Sequence, residues 1–261
     1  MRILNWNYKG LGKPSAILQC QKKAQDHKPN IPFLMETKLE EDKGFEVLRR
    51  CGFQNGLEVP RVGLSGGLML GWVLEHNLQI QHSSKNMIHA NLLDHKGTPL
   101  SITFFYGHPE LAKRKEVWLE LLQIRQIALP NWLCIGDFNQ VLTDEDKFTF
   151  HSNSIARADL FQQILNELEL CALEAKGQHF TWMNRREDDY FVMERLDRAF
   201  ASMEWINSYP QYALYNHPII RSDHGSILLE FEVQLPFRRR PFRFERMWSS
   251  HEDCGDVVKV A

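Results

Sequence analysis

Eight short runs rich in apolar, β-branched and aromatic residues recur along the chain: RILNWN, IPFLME, GGLMLGWVL, PLSITFFYG, NWLCIGDFN, QHFTW, FVMERLDRAF and SILLEFEV. Only three helical patterns lie among them. Leu160, Phe161, Ile164, Leu165 and Leu168 trace one face of an amphipathic helix, and Val117, Leu121, Ile124 and Ala128 mark a second over 113–128. A third spans Pro14 to His27, where proline suits the first helical turn. A repeating βαβ unit needs a helix after nearly every strand, and this chain has too few. The pattern points instead to an α/β fold, a layered α/β sandwich of two packed mixed sheets flanked by helices. GLSGG (63–67) and YPQYALYNHP (209–218) read as turns or loops.

With 43% hydrophobic and 25% charged residues over 261 positions, the composition suits one large folded domain. We place it over 1–235. Residues 236–261 carry arginines and aromatics without a period and read as a linker or the start of a further region. The net charge of −2, from 31 basic and 33 acidic residues, gives no global positive field, so nucleic-acid binding would need a local basic groove. Five scattered cysteines fit reduced thiols in an intracellular protein. The N-terminus lacks a secretory apolar core, and no apolar run is long enough to span a membrane. The expectation is a soluble intracellular protein.

The apolar runs share one peculiarity: they end or turn at polar groups. LCIGDFNQVL places Asp137 and Asn139 at the end of the most apolar strand, although burying an unpaired carboxylate is costly. The other runs bring Asn7, Glu36, Lys38, Tyr106 and Asp197, with Asp223 and His224 just before SILL. One arrangement accounts for all of them: the strand ends converge on a single pocket. A set of carboxylates and amides with one histidine, one tyrosine and no cysteine suits Mg²⁺, or Mn²⁺, rather than zinc. Such a pocket could supply a base, charge stabilisation at phosphorus and relief for a leaving oxygen.

WNYKG, METK, FFYG, IGDFN, RLDRAF and SDHGSI occur here in the order found in the endonuclease/exonuclease/phosphatase superfamily, and the chain resembles that superfamily over about residues 1–235. QHFTWMN, RLDRAFAS with Trp205, and RRPFRFERMW look more narrowly like the endonuclease domain of plant LINE-type non-LTR retroelements. In those elements a reverse transcriptase follows; no polymerase motif follows here.

The resemblance implies a metal held by Glu36, with Asn7 beside the metal and phosphate and Asp223 supporting that side. It implies that Asp137 positions or deprotonates the attacking water and that Asn139 bonds phosphate and water. His224, oriented and kept charged by Asp197, would stabilise the phosphoryl oxygens, and Tyr106 would bond the phosphate or assist the leaving group. Lys9, Lys38 and Trp182 are candidate substrate contacts. Lys9 and Pro109 stand where abasic-site endonucleases of the superfamily carry Asp and Asn, which argues against a dedicated abasic-site enzyme.

The implied activity is a Mg²⁺-dependent DNA endonuclease that nicks one strand, acting in the nucleus if its target is genomic DNA. Two other readings stay open: a phosphatase or phosphodiesterase on inositol phosphates, lipid headgroups or nucleotides, and an idle nucleic-acid-binding relic. Plainer roles also stay open for single residues. Asp137 suits a turn cap, Glu36 a solvated strand end, His224 a core histidine, and Tyr106 a strand end with a wet hydroxyl. Trp182 suits the core as well as a DNA groove, Met69, Leu70 and Trp72 are assigned to the core, and Arg238–Arg240 with Arg243 and Arg246 suit either a phosphate grip or a solvated linker.

Overall fold

A computed structural model describes residues 1–63, 65–151 and 158–233. The segment 236–261, with its arginines, lies outside them. The strands in chain order are β1 (Arg2–Asn7), β2 (Ile31–Met35), β3 (Asn55–Val59), β4 (Leu68–Trp72), β5 (Gln79–Ser83), β6 (Met87–Leu93), β7 (Pro99–Tyr106) and β8 (Trp132–Asp137). There follow β9 (Lys147–Thr149), β10 (Cys171–Ala172), β11 (Ala175–Gly177), β12 (Trp182–Met183), β13 (Val192–Glu194), β14 (Asp197–Ala201), β15 (Ala213–Asn216) and β16 (Ile227–Glu230). The helices are α1 (Pro14–His27), α2 (Lys43–Arg50), α3 (Arg114–Ile124), α4 (Ala158–Glu167) and α5 (Met203–Ser208).

Two sheets pack face to face. One runs β11–β15–β16–β1–β2–β4–β3, the other β10–β14–β8–β7–β6–β5, and a small third sheet is β12–β13–β9. Both large sheets are mixed: β1 with β2 and β7 with β8 are parallel at their centres, β11 with β15 is parallel at one edge, and the remaining pairs are antiparallel. This is the layered α/β sandwich expected from the strand-rich pattern.

Side chains alternate between faces along each strand, and that period sorts three cores. Ile3, Phe33, Met35, Ile102, Phe104, Leu133, Ile135 and Ala199 meet between the sheets. Trp6, Leu34 and Met69 point the other way, onto Ala16 and Cys20 of α1 and Val47 and Leu48 of α2. Phe105, Trp132, Cys134 and Phe200 pack outward on Trp118 and Leu121 of α3 and Phe161 and Leu165 of α4. Met69 and Leu70 are fully buried, with Trp72 packed against the inner core. The four described cysteines are free. No helix among the described residues is long and apolar enough to cross a membrane.

The helix over 14–27 forms as the sequence indicates, with Pro14 in its first turn and Lys28 closing it in the left-handed conformation. The helix expected over 113–128 is shorter: a 3-10 turn at Leu111–Lys113 leads into α3, which ends at Ile124. Within the stretch read as a loop, Ala213–Asn216 is a strand, because it finds β16 on one side and β11 on the other. FVMERLDRAF divides into β13 and β14, which belong to different sheets, and QHFTW contributes only the start of Trp182–Met183.

Candidate active site

Strand parity carries the inner apolar face of four strands directly into polar residues. On β1 the inward positions are Ile3, Asn5 and Asn7; on β7 they end at Tyr106; on β8, Leu133 and Ile135 are followed by Asp137. On β14, Asp197 precedes the inward Ala199 and Ala201. Asn7, Tyr106 and Asp137 stand at the C-terminal ends of parallel strands, and Glu36 follows β2 immediately. The site is one end of the hydrophobic core, where the chain exchanges apolar for polar side chains without changing direction.

Register brings the groups together. Asp137 lies opposite both Tyr106 and Asp197. Asn7 donates from Nδ2 to Glu36 Oε1 at 3.1 Å and to Asp137 Oδ2 at 3.0 Å. The Tyr106 hydroxyl donates to Glu36 Oε1 at 2.9 Å. Asn139, in left-handed backbone at φ 51°, donates its main-chain N–H to Asp137 Oδ1 at 2.9 Å and its side-chain amide to Asp137 Oδ2 and the Gly107 carbonyl at 3.2 and 2.9 Å. His224 Nδ1 is 2.9 Å from Asp197 Oδ2, and its Nε2 is 3.8 Å from Asp137 Oδ2.

Burial sets the electrostatics. It pushes Asp137 up to about 7, against the opposing pull of His224 and the hydrogen bonds from Asn7 and Asn139. For His224 burial acts downward, but the charges of Asp197 and Asp137 outweigh it and raise the imidazolium to about 9. Burial beside Glu36 and Asp137 raises Tyr106 well above the ordinary phenol range, so its hydroxyl stays a donor. The site therefore holds a buried acid poised near neutrality next to a histidine that keeps its proton.

Glu36 and Asn7 have the donor chemistry for a hard cation. Asn7 Oδ1 is buried without a hydrogen-bond partner among the described residues, and both donors to Glu36 use Oε1. Asp137, Asp197 and His224 also lie within reach of one ion, but Asp197 occupies Nδ1 and favours the protonated imidazole, which offers no lone pair. Oxygen from a carboxylate and an amide fits Mg²⁺ or Mn²⁺.

Asp223, Lys9 and Trp182 form a separate group. Asp223 Oδ2 receives the Lys9 ammonium and the Trp182 indole N–H, the latter at 3.3 Å. Burial acts to raise Asp223, but Lys9 and His224 hold it below the ordinary carboxylate range. The structure thus groups Asp223 with a lysine, and no hydrogen bond joins it to Glu36 or Asn7 among the described residues. Half-buried Trp182 sets its ring 6.5 Å from that of His224. Lys38 stands on the wall of the adjoining cavity with Lys9.

Several supporting residues escape a reading of the sequence. Ser222 Oγ donates to the Asn7 carbonyl at 2.9 Å and accepts the His224 N–H at 3.2 Å, locking two site segments together. Thr181 Oγ1 accepts the N–H groups of Leu196 and Asp197. Gly66 and Gly67 lie under the METK segment: the Gly67 and Gly66 carbonyls accept from the main-chain N–H groups of Thr37 and Lys38, and a Cβ on Gly67 would sit 2.5 Å from Thr37 Oγ1. That support matters because Glu36 and Lys38 both adopt left-handed backbone, at φ 49° and 53°.

The chain has the endonuclease/exonuclease/phosphatase fold. No protein-family model and no curated protein sequence matches it; the likeness is to solved structures. A 3′ phosphatase, NExo, from Neisseria, solved bound to a product DNA hairpin, superposes with a TM-score of 0.67 at 18% identity, covering 89% of this chain and 100% of that one. The endonuclease domain of TRAS1, a telomere-specific non-LTR retrotransposon, gives 0.66 at 15% identity over 90% and 99% of the two chains. An AP endonuclease from Leishmania major gives 0.65 at 16% identity over 87% and 86%.

Proposed function

We propose that this protein is a metal-dependent phosphodiesterase that nicks one strand of DNA. The observation that carries the reading is His224 held between Asp197 and Asp137, with Asp137 hydrogen-bonded in turn to Asn7 and Asn139, and Glu36 to Asn7 and Tyr106. Fold neighbours that act on or are bound to DNA support it, as does the order of motifs shared with retroelement endonucleases.

In this reading Glu36 and Asn7 hold Mg²⁺, which polarises a phosphoryl oxygen when bound. Asp137 accepts the proton of the attacking water, whose oxygen bonds to phosphorus as the bond to the 3′-oxygen breaks. The departing 3′-oxygen takes a proton from solvent. Asn139 orients that water and the phosphate. His224, charged through Asp197, stabilises the negative oxygens, and protonated Tyr106 donates to the phosphate once substrate displaces its bond to Glu36. Asp223 acts through Lys9, placing an ammonium beside the phosphate.

The test is nicking of supercoiled plasmid by purified protein with Mg²⁺, with EDTA and with Asp137→Ala. Open circle that requires both metal and Asp137 is the expected result. A folded protein that leaves plasmid intact but hydrolyses soluble phosphomonoesters would replace this reading with a small-molecule phosphatase. One that does neither, yet binds DNA, would be a relic.

A further inference from the structure

Beside the catalytic cluster lies a cavity of about 600 Å³ with an unusual wall: Lys9, Lys13, Lys38, Arg185 and Arg221 all reach it, against one carboxylate, Asp223. That carboxylate is already engaged by Lys9. Lys13, Lys38, Arg185 and Arg221 have no ion pair with any carboxylate among the described residues. The cations come from separate places in the sequence: after β1, before α1, after β2, in the turn after β12 and in the loop before β16. Like charges gathered from distant segments repel one another unless an anion sits among them.

The backbone shows the same bias. Lys9, Lys38, Arg185 and Arg221 have φ of 59°, 53°, 54° and 65°, a region disfavoured for any residue but glycine. Two of these side chains are also aimed: the Arg185 guanidinium donates to the Ser222 carbonyl, and the Lys9 ammonium to Asp223. The first turn of α1 opens onto the cavity through Ser15 and Ala16, and its N-cap, Lys13, supplies no side-chain cap. The positive end of the helix dipole there adds to the field. Ser222 and Asp223 belong to this wall and also adjoin His224, so an anion here would lie next to the reacting phosphate.

We infer that this cavity is a second anion site, which holds the phosphate neighbouring the scissile one on the strand being cut, with Arg185 and Arg221 as its principal clamp. The inference rests on the phosphodiesterase reading and adds to it a grip on the neighbouring phosphate that an isolated phosphate ester could not use. A chain of net charge −2 would thereby grip a polyanion with one local patch.

The test separates binding from cutting. Affinity of a short fluorescein-labelled DNA duplex is measured by anisotropy in EDTA, over a series of salt concentrations, for wild type and Arg185→Gln/Arg221→Gln. Both arginines are exposed, so the variant should keep the wild-type Tm. The variant should bind about tenfold or more weakly, with the slope of log affinity against log salt reduced by about one. Single methylphosphonate substitutions along one strand should weaken wild type at a flanking position where the variant is indifferent. Equal affinity and slope, or an unchanged methylphosphonate profile, would overturn the second site even if wild type nicks plasmid. Wild type that neither binds the duplex nor nicks plasmid would remove both readings together.

Discussion

Asp197 and Asp137 face each other across the β14–β8 ladder, and His224 bridges them, with Nδ1 2.9 Å from one carboxylate and Nε2 3.8 Å from the other. Two carboxylates this close would repel if both were bare. The imidazolium between them makes the arrangement tolerable and gives each acid a different environment.

Replacing Asp197 with Asn should keep the shape of this bridge but remove the charge that holds the proton on His224. We expect nicking to slow by about 10²-fold or more, with little change in Tm. NMR titration should place the His224 pKa below its wild-type value. An unchanged histidine titration would show that Asp197 does not control it.

The pH–rate profile should be bell-shaped. In the proposed mechanism Asp137 acts as the carboxylate, and burial raises it to about 7, so kcat/KM should climb as pH rises through about 7. In the same mechanism His224 acts as the imidazolium, which Asp197 and Asp137 raise to about 9, so the rate should fall as pH passes about 9. Asp197→Asn should move the upper limb to lower pH. A rate that stays constant from well below about pH 7 to well above about pH 9 would reassign both groups.

His89 gives a stability prediction away from the site. It is fully buried on β6, with Nδ1 2.8 Å from Thr103 Oγ1, and burial lowers it to about 4. The unfolded chain takes up a proton near 6.5 that the folded state refuses, so stability is intact above that pH and declines as pH falls toward about 4. The loss should reach about 3 kcal/mol at the acid limit. Urea midpoints measured across this range should shift less in His89→Gln than in wild type.

Gly136 precedes Asp137 because the strands leave no room beside it: a Cβ there would stand 1.7 Å from the Phe105 carbonyl oxygen. Gly136→Ala should cost about 3 kcal/mol or more and lower the urea midpoint, since β7 and β8 must separate. A variant of wild-type stability would mean that this strand pair is looser than described.

Much of the site was legible because its residues interrupt strong patterns. Asn7, Tyr106, Asp137 and Asp197 each stand where an apolar period should continue, and a polar residue there needs a reason. Trp182 and Asp223 were visible as residues but not as partners, because nothing in the sequence brings β12 to the loop before β16. Arg185 and Arg221 were invisible for a different cause: a charged residue in a turn looks like solvated surface until three dimensions put five such charges around one cavity. In the fold, β5 and β6 were missed because QIQHS and MIHANLL mix polar with apolar residues, and their pairing partner supplies what local propensity does not. The strand at Ala213–Asn216 was hidden by flanking tyrosines and prolines that look like a loop.

The placement of β1 has a consequence for how the protein is made. β1 is hydrogen-bonded on one side to β2 and on the other to β16, so a strand made early in this domain is completed by one made much later. Asn7 and Glu36 acquire His224 as a neighbour only when Ile227–Glu230 has been synthesised and has slotted in beside Arg2–Asn5. A nascent chain, however much of its second sheet has formed, carries the pieces of the site on separate halves. The site is therefore assembled late and in one step, when the two halves of the first sheet close on each other.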